Sequence, residues 1–185
     1  MVLIQSRPVK LTTRTGVAVN RTIPHRALKA IGAWCFIDHF GPTEQTDGMV
    51  VAAHPHTGLQ TVTWLFEGEI EHRDSIGSVQ LIKAGQLNLM TAGHGISHSE
   101  LSLPTQGNLH AVQLWVALPK EALEIPPAFE HQADLPSFSQ PGMRGKVLIG
   151  EFMGQSSSTT KLSELVGVEI RLEPGTYEIP LRTDY

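Results

Sequence analysis

The 185-residue chain has one cysteine, no cluster of basic residues and no long apolar run, and each shortage excludes a class of protein. Cys35 cannot form an internal disulfide, and no CxxC pair is present for zinc or redox chemistry. The 14 basic residues are outnumbered by 18 acidic ones, so the formal net charge is −4 and direct nucleic-acid binding is not expected. No stretch approaches the about 18 consecutive apolar residues of a membrane helix.

The N-terminal stretch "MVLIQSRPVKLTTRTG" has only three apolar residues in a row after Met1. It lacks the apolar core and the small-residue cleavage site of a secretory signal peptide. We therefore expect a cytoplasmic protein without a membrane partner.

Alternation of apolar and polar residues, typical of β-strands, is the main pattern in the sequence. In "TVTWLF" the residues Val62, Trp64 and Phe66 share one face and alternate with Thr61, Thr63 and Leu65. Similar patterns recur in "HAVQLWVAL" (110–118), "KVLIGEF" (146–152) and "VEIRLE" (168–173), with glycine or proline between most of them. The pattern predicts an all-β sandwich or barrel. Only 119–126 and 159–166 have helical character, and each is a turn or two long.

Residues 119–145 contain five prolines and few apolar runs. This composition is typical of a connector, so we predict three parts: an N-terminal unit over 1–120, a connector over 121–145 and a smaller C-terminal unit over 146–185.

Six of the nine histidines lie between positions 54 and 110, and two pairs share one spacing: His54 with His56, and His98 with Glu100. Residues i and i+2 of a strand project from the same face, so each pair aims two ligand atoms in one direction. Two such strands inside a barrel would bring together three imidazoles and one carboxylate. That donor set favours Fe²⁺, with Mn, Co, Ni, Cu and Zn as alternatives. The competing interpretation is that these histidines are hydrogen-bonded core residues.

Several blocks of the sequence resemble a known family. "GMVVAAHPH" is similar to the first cupin motif, a glycine followed after five residues by HxH. More specifically, "FIDHFGP", "HPHTGLQTVTWLFEGEIEHRDSIGS", "MTAGHGISHSE" and "QLWVALP" resemble the corresponding blocks of the pirin family, in order. The resemblance is strong over 20–120 and weaker in "GKVLIGEFMG" and "LEPGTYEIPL".

The resemblance implies a bicupin of two stacked β-barrels, here with a shortened C-terminal cupin, and one metal ion, usually iron, in the first barrel. The family's ligands match His54, His56, His98 and Glu100. It also implies a dioxygenase acting on flavonols such as quercetin, in which Glu100 takes up a substrate proton. The alternative is an iron-binding interaction module that regulates a transcription factor or a metabolic enzyme. A second copy of the chain could cover exposed strand edges as a homo-oligomer.

The chain departs from the usual pirin motif HPHRGFET at Thr57, Leu59 and Gln60. Gln60 holds the position where many cupins carry a glutamate, and an amide cannot accept a proton as a carboxylate does. Glu100 is therefore the catalytic carboxylate we predict.

The remaining polar residues near these motifs have simpler interpretations. His72, Asp74 and Ser75 in "EHRDSIG" are expected to serve a hairpin turn rather than the site. Asp38 and His39 are expected to satisfy backbone groups beside a turn.

Overall fold

The computed structural model describes residues 3–9, 14–15, 19–44, 48–102 and 108–180. Over these residues nearly all of the regular secondary structure is β-strand, which confirms the all-β prediction. One 3₁₀ turn, Lys120–Ala122, lies in the first stretch with helical character, whereas 159–166 forms only bends, so helix was wrong there. In chain order the strands are Arg7–Val9 (β1), Arg14–Thr15 (β2), Val19–Ile23 (β3), Trp34–Glu44 (β4), Met49–His56 (β5), Leu59–Glu67 (β6), Glu69–Asp74 (β7), Val79–Lys83 (β8), Leu87–Thr91 (β9), Ile96–Ser102 (β10), Asn108–Ala117 (β11), Ala128–Gln132 (β12), Ser137–Gln140 (β13), Met143–Ile149 (β14), Glu151–Phe152 (β15), Gln155–Ser156 (β16) and Gly167–Leu172 (β17).

Two antiparallel sheets face each other in the N-terminal part. The larger has the order β1-β3-β4-β11-β6-β9-β12, and the smaller has the order β2-β5-β10-β7-β8. Apolar side chains from both sheets form one buried core, in which Phe40 and Leu65 of the larger sheet join Met49 and Ile70 of the smaller one. The two sheets therefore enclose a common interior.

The alternation predicted in "TVTWLF" is confirmed and explains how β6 is buried on both faces. Leu65 packs in the core between the two sheets. Val62 and Trp64 point the other way, into a second core with Leu148 and Ile149 of β14. The larger sheet is thus covered on its outer face by the C-terminal part of the chain.

The C-terminal part has a separate three-stranded sheet, β13-β14-β17, and a two-stranded one, β15-β16. The stretch 121–145 contains strands of its own, because β12 pairs with β9 at the edge of the larger sheet and β13 pairs with β14. The division into 1–120, 121–145 and 146–185 stays a prediction. In the described ranges, no helix is long and apolar enough to cross a membrane.

Candidate metal centre

Three adjacent strands of the smaller sheet carry polar pairs with the same i, i+2 spacing. His54 and His56 lie on β5, His98 and Glu100 on β10, and His72 with Asp74 on β7. Strand register aligns them, and residues paired across an antiparallel ladder share a face of the sheet. Directly opposed pairs are His98 with His54, His98 with Asp74, and Glu100 with His72.

A β-bulge in β5 lies directly beside these pairs. Glu100 is paired with Val51, although His98 is paired with His54, so β5 has one residue more than β10 over this step. Val51 and His54 consequently both line the same cavity, although three positions separate them. A regular strand would turn them to opposite faces, and bulges commonly re-aim side chains in this way.

The side chains of His54, His56 and His98 converge. Their ligand nitrogens lie within 4.8 Å of one another, and Nε2 of His56 is 3.1 Å from Nε2 of His98. Burial, together with the neighbouring charge of His54, lowers the pKa of His56 to about 4. His56 is therefore neutral at pH 7 and has a lone pair to offer a metal ion.

The hydrogen bond of His54 also suits a metal ligand. Its Nδ1 lies 2.9 Å from the carbonyl oxygen of Ala52, which can only accept, so Nδ1 carries the proton. In the neutral ring, Nε2 is then left with a lone pair. This arrangement is typical of metal-binding histidines, whose second nitrogen is held by a backbone or carboxylate oxygen.

Glu100 belongs to a second, overlapping group. Its carboxylate and the ring nitrogens of His72 and His98 lie within 4.8 Å of one another, and all three residues are buried. Oγ1 of Thr63, on the facing sheet, is 3.5 Å from Oε1 of Glu100. His98 is the member common to both groups. The donors, three imidazoles and one carboxylate around one cavity, fit a divalent transition-metal ion.

The four predicted ligands line one cavity of about 220 Å³. Its opposite wall is aromatic, because Phe36 and Trp115 stack with their ring centroids 3.9 Å apart and their planes at 12°. The guanidinium carbon of Arg21 lies 4.1 Å from the ring centroid of Phe36. Val51 and Gln113 complete the cavity together with Asp38.

Arg21 and Asp38 form a two-pronged ion pair in the cavity wall. Nε and the second guanidinium nitrogen of Arg21 lie 2.8 and 3.0 Å from the two carboxylate oxygens of Asp38. The Asp38 side chain is only 4% exposed. The expectation that Asp38 serves a turn was therefore wrong. Its carboxylate is held by Arg21, which lies directly opposite Asp38 in the β3–β4 register.

Gln60 lies away from the candidate centre. It is fully buried on β6, where Nε2 donates to Oγ1 of Thr91 at 3.0 Å and to the Thr160 carbonyl at 3.3 Å. It is not among the residues that line the cavity. The amide of Gln60 therefore does not occupy the place of a base in the cavity. This corrects the sequence-based expectation that an amide at position 60 affects proton transfer at the site.

His72 and Asp74 are the polar residues of this region that the sequence interpretation set aside. Asp74 does serve the hairpin turn, since Oδ1 accepts the N–H groups of Ile76 and Ser78. Its other oxygen, Oδ2, lies 3.1 Å from Nε2 of His72. The spacing of His72 and Asp74, identical to that of the two predicted pairs, is the signal that could have indicated their position.

The chain is similar to several known proteins. The family model described as Pirin matches residues 16–116, more than half of the chain. A curated protein of Pseudomonas aeruginosa named "Putative quercetin 2,3-dioxygenase" is 49% identical over 157 residues, which cover 84% of this chain and 50% of that protein. A pirin-like protein of Caulobacter vibrioides is 43% identical over 167 residues, covering 85% of this chain and 58% of the relative.

Among solved structures, a quercetin 2,3-dioxygenase of Acinetobacter baumannii superimposes with a TM-score of 0.91 at 44% identity. The match covers 96% of this chain and 60% of that one. The cupin fold implied by the sequence resemblance is thereby confirmed. The chain spans about half the length of the curated relatives that it matches.

Proposed function

This chain belongs to the pirin family, and on that premise we propose that it is a metal-dependent cupin that oxygenates a flat aromatic substrate of the flavonol type. The observation that carries the proposal is the convergence of His54, His56 and His98 within 4.8 Å, in a cavity whose other wall is an aromatic stack. The names of the Pseudomonas and Acinetobacter relatives support the choice of quercetin as the substrate to test.

In this proposal His54, His56, His98 and Glu100 hold one divalent ion, with Fe²⁺ as the first choice. When bound, the iron supplies Lewis acidity toward adjacent substrate oxygens and redox chemistry toward O₂. The low pKa of His56 keeps this ligand neutral over the range in which the protein would work. A dioxygenase places both atoms of O₂ in its product, so the reaction needs no external reductant.

The chain's own groups bind and orient the substrate. The edges of the stacked Phe36 and Trp115 rings give the cavity an apolar wall that a flavonol ring system can contact. Arg21 lies over the Phe36 ring and can donate to a substrate oxygen while it remains paired with Asp38. Glu100, a buried carboxylate beside His98, is the group we assign to accept the proton of the substrate's 3-hydroxyl.

The test is oxygen uptake and quercetin loss with protein loaded with Fe²⁺ under anaerobic conditions. We expect turnover in the wild type and none in His98→Ala, with iron content measured for both proteins. Full iron occupancy without oxygen uptake would contradict the enzymatic proposal. For Glu100, the substitution Glu100→Gln is expected to slow turnover strongly while iron stays bound. Unchanged turnover in that variant would remove Glu100 from proton transfer.

The second candidate is an iron-binding module that regulates a protein partner. The cavity volume favours it, because about 220 Å³ is below the about 300–1,000 Å³ of most small-molecule pockets. Such a module would capture a partner from extract in a metal-dependent manner and would consume no oxygen with quercetin. We propose the cytoplasm as the location of either activity.

A further inference from the structure

Four side chains form a continuous series that begins at a hairpin turn and ends in the cavity. Oδ2 of Asp74 contacts Nε2 of His72 at 3.1 Å, and Nδ1 of His72 lies 3.5 Å from Nδ1 of His98. Nε2 of His98 then lies 3.1 Å from Nε2 of His56. His72 and Asp74 are outside the set of residues that line the cavity.

The direction of each hydrogen bond follows from the carboxylate. An ionised Asp74 can only accept, so Nε2 of His72 carries the proton and donates it. In a neutral His72 the other nitrogen, Nδ1, is then an acceptor. Because it faces Nδ1 of His98, that atom must carry the proton, and Nε2 of His98 retains its lone pair toward the cavity. One carboxylate thus determines the tautomers of two histidines.

Asp74 is itself held in place. Its other oxygen, Oδ1, accepts the N–H groups of Ile76 and Ser78 at 3.0 and 2.9 Å. Burial raises the pKa of the Asp74 carboxyl, but the hydrogen bonds from Ser78 and His72 outweigh burial and leave it below its ordinary value. The side chain is 0% exposed. The turn therefore keeps this carboxylate ionised and correctly oriented.

His72 is positioned from its other side by an aromatic ring. Phe129, on β12, stacks on it with the ring centroids 4.4 Å apart and the planes at 18°. His72 also lies opposite Glu100 in the β7–β10 register. The ring can thus rotate little, and its two nitrogens remain directed at Asp74 and His98.

We propose that Asp74 and His72 are positioning residues for the metal centre, which fix the tautomer of His98 so that Nε2 is available to the metal ion. The proposal rests on the metal centre put forward above, but not on the oxygenase reaction. It assigns the Asp-Ser-Ile-Gly hairpin a part in metal affinity in addition to its part in the fold.

The decisive variant is Asp74→Asn. Its carbonyl oxygen will remain on the N–H groups of Ile76 and Ser78, because the reverse orientation would direct the amide NH₂ at two donors. The NH₂ group then donates to Nε2 of His72, which reverses the tautomers of His72 and His98. Nε2 of His98 becomes protonated and cannot bind metal until the tautomer is reversed. We expect zinc affinity, measured by competition with a chromophoric chelator, to fall about 10–100-fold.

Glu71→Gln is the matched control, because it removes the same charge from the same strand. Glu71 is partly exposed and pairs with Arg73, away from the cavity. Its zinc affinity should equal that of the wild type. Thermal unfolding of the metal-free proteins checks that the variants are folded. If Asp74→Asn does not fold, His72→Phe keeps the aromatic stack on Phe129, removes the acceptor for His98, and should also weaken zinc binding.

A spectroscopic measurement separates positioning from structural damage. Long-range ¹H–¹⁵N spectra of the histidine rings report which nitrogen carries the proton. In the metal-free wild type we expect His72 protonated at Nε2 and His98 at Nδ1, and the opposite in Asp74→Asn. Zinc affinity and tautomers that are both unchanged in that variant would overturn the proposal. A wild type that shows these tautomers but binds no zinc would instead overturn the metal centre of the proposed function.

Discussion

The ring of His56 stands edge-on to the indole of Trp115, with the ring centroids 5.0 Å apart and the planes at 75°. Trp115 lines the cavity, whereas the other two tryptophans, Trp34 and Trp64, pack in the core beneath the C-terminal part. The fluorescence of one tryptophan therefore reports on a proposed metal ligand.

We expect Ni²⁺, which quenches indole emission at short range, to reduce the fluorescence of the metal-free protein. Trp115→Phe should abolish most of this change, because the remaining tryptophans are on the far side of the larger sheet. Trp34→Phe serves as the control and should retain it. Equal quenching in Trp115→Phe and in the wild type would show that the ion binds elsewhere.

The ion pair between Arg21 and Asp38 predicts a non-additive effect on stability. Arg21→Met leaves the buried carboxylate of Asp38 without its partner, and we expect the free energy of unfolding to fall by about 2 kcal/mol. This loss is smaller than for a fully buried pair, because Arg21 is partly exposed. The double variant Arg21→Met/Asp38→Leu should be clearly more stable than Arg21→Met alone. Urea unfolding measures both, and additive losses would contradict a coupled pair.

Exchanging Gln60 for glutamate tests whether this position matters to the metal centre. Gln60→Glu places a carboxyl oxygen 3.3 Å from the Thr160 carbonyl, in a site where the residue is fully buried. We expect about 1–3 kcal/mol of destabilisation. Because β6 turns this side chain away from the cavity, zinc affinity should be unchanged. A marked change in zinc affinity would contradict the assignment of Gln60 to the outer face.

Acid destabilisation is expected from the contact between His39 and His110, whose Nε2 atoms are 2.9 Å apart. Burial and the charge of His110 lower the pKa of His39 in the folded protein. Below about pH 6.5 the unfolded chain therefore binds a proton that the folded chain resists, so stability falls as the pH decreases. His39→Gln should flatten the dependence of the melting temperature on pH between about 7.5 and 5.

Part of that pH dependence should remain in His39→Gln. Burial lowers the pKa of His131 as well, and its Nδ1 lies 2.7 Å from Oδ1 of Asn88. A steeper dependence on pH in His39→Gln than in the wild type would contradict the sign of the shift for His39.

Much of the candidate centre could be predicted because the side-chain period of a strand is simple. The spacing of His54 with His56, and of His98 with Glu100, was enough to predict two pairs that face one way. That they face one another depends on the pairing of β5 with β10, and the bulge that re-aims His54 has no signature in the local sequence. Register across strands is set by contacts distant in sequence, which periodicity does not contain.

The sequence was incomplete for Asp74 and misleading for Gln60, for different reasons. Asp74 has a sufficient local explanation in its turn, so nothing in the sequence demanded a second contact with His72. Gln60 was expected to face the cavity, because it holds the motif position where many cupins carry a glutamate. Alternation along β6 places Gln60 on the face opposite Thr63, but only the contact of Thr63 with Glu100 shows that the Thr63 face is the one turned to the cavity.

Because β6 is buried on both faces, only the larger sheet separates the candidate centre from the core beneath β14. A fragment excised after residue 120 would lose β12 and leave β9 as an unprotected sheet edge. It would also bare Val62 and Trp64 to water over the face that Leu148 and Ile149 now cover. Such a truncation should aggregate rather than serve as a minimal metal-binding unit.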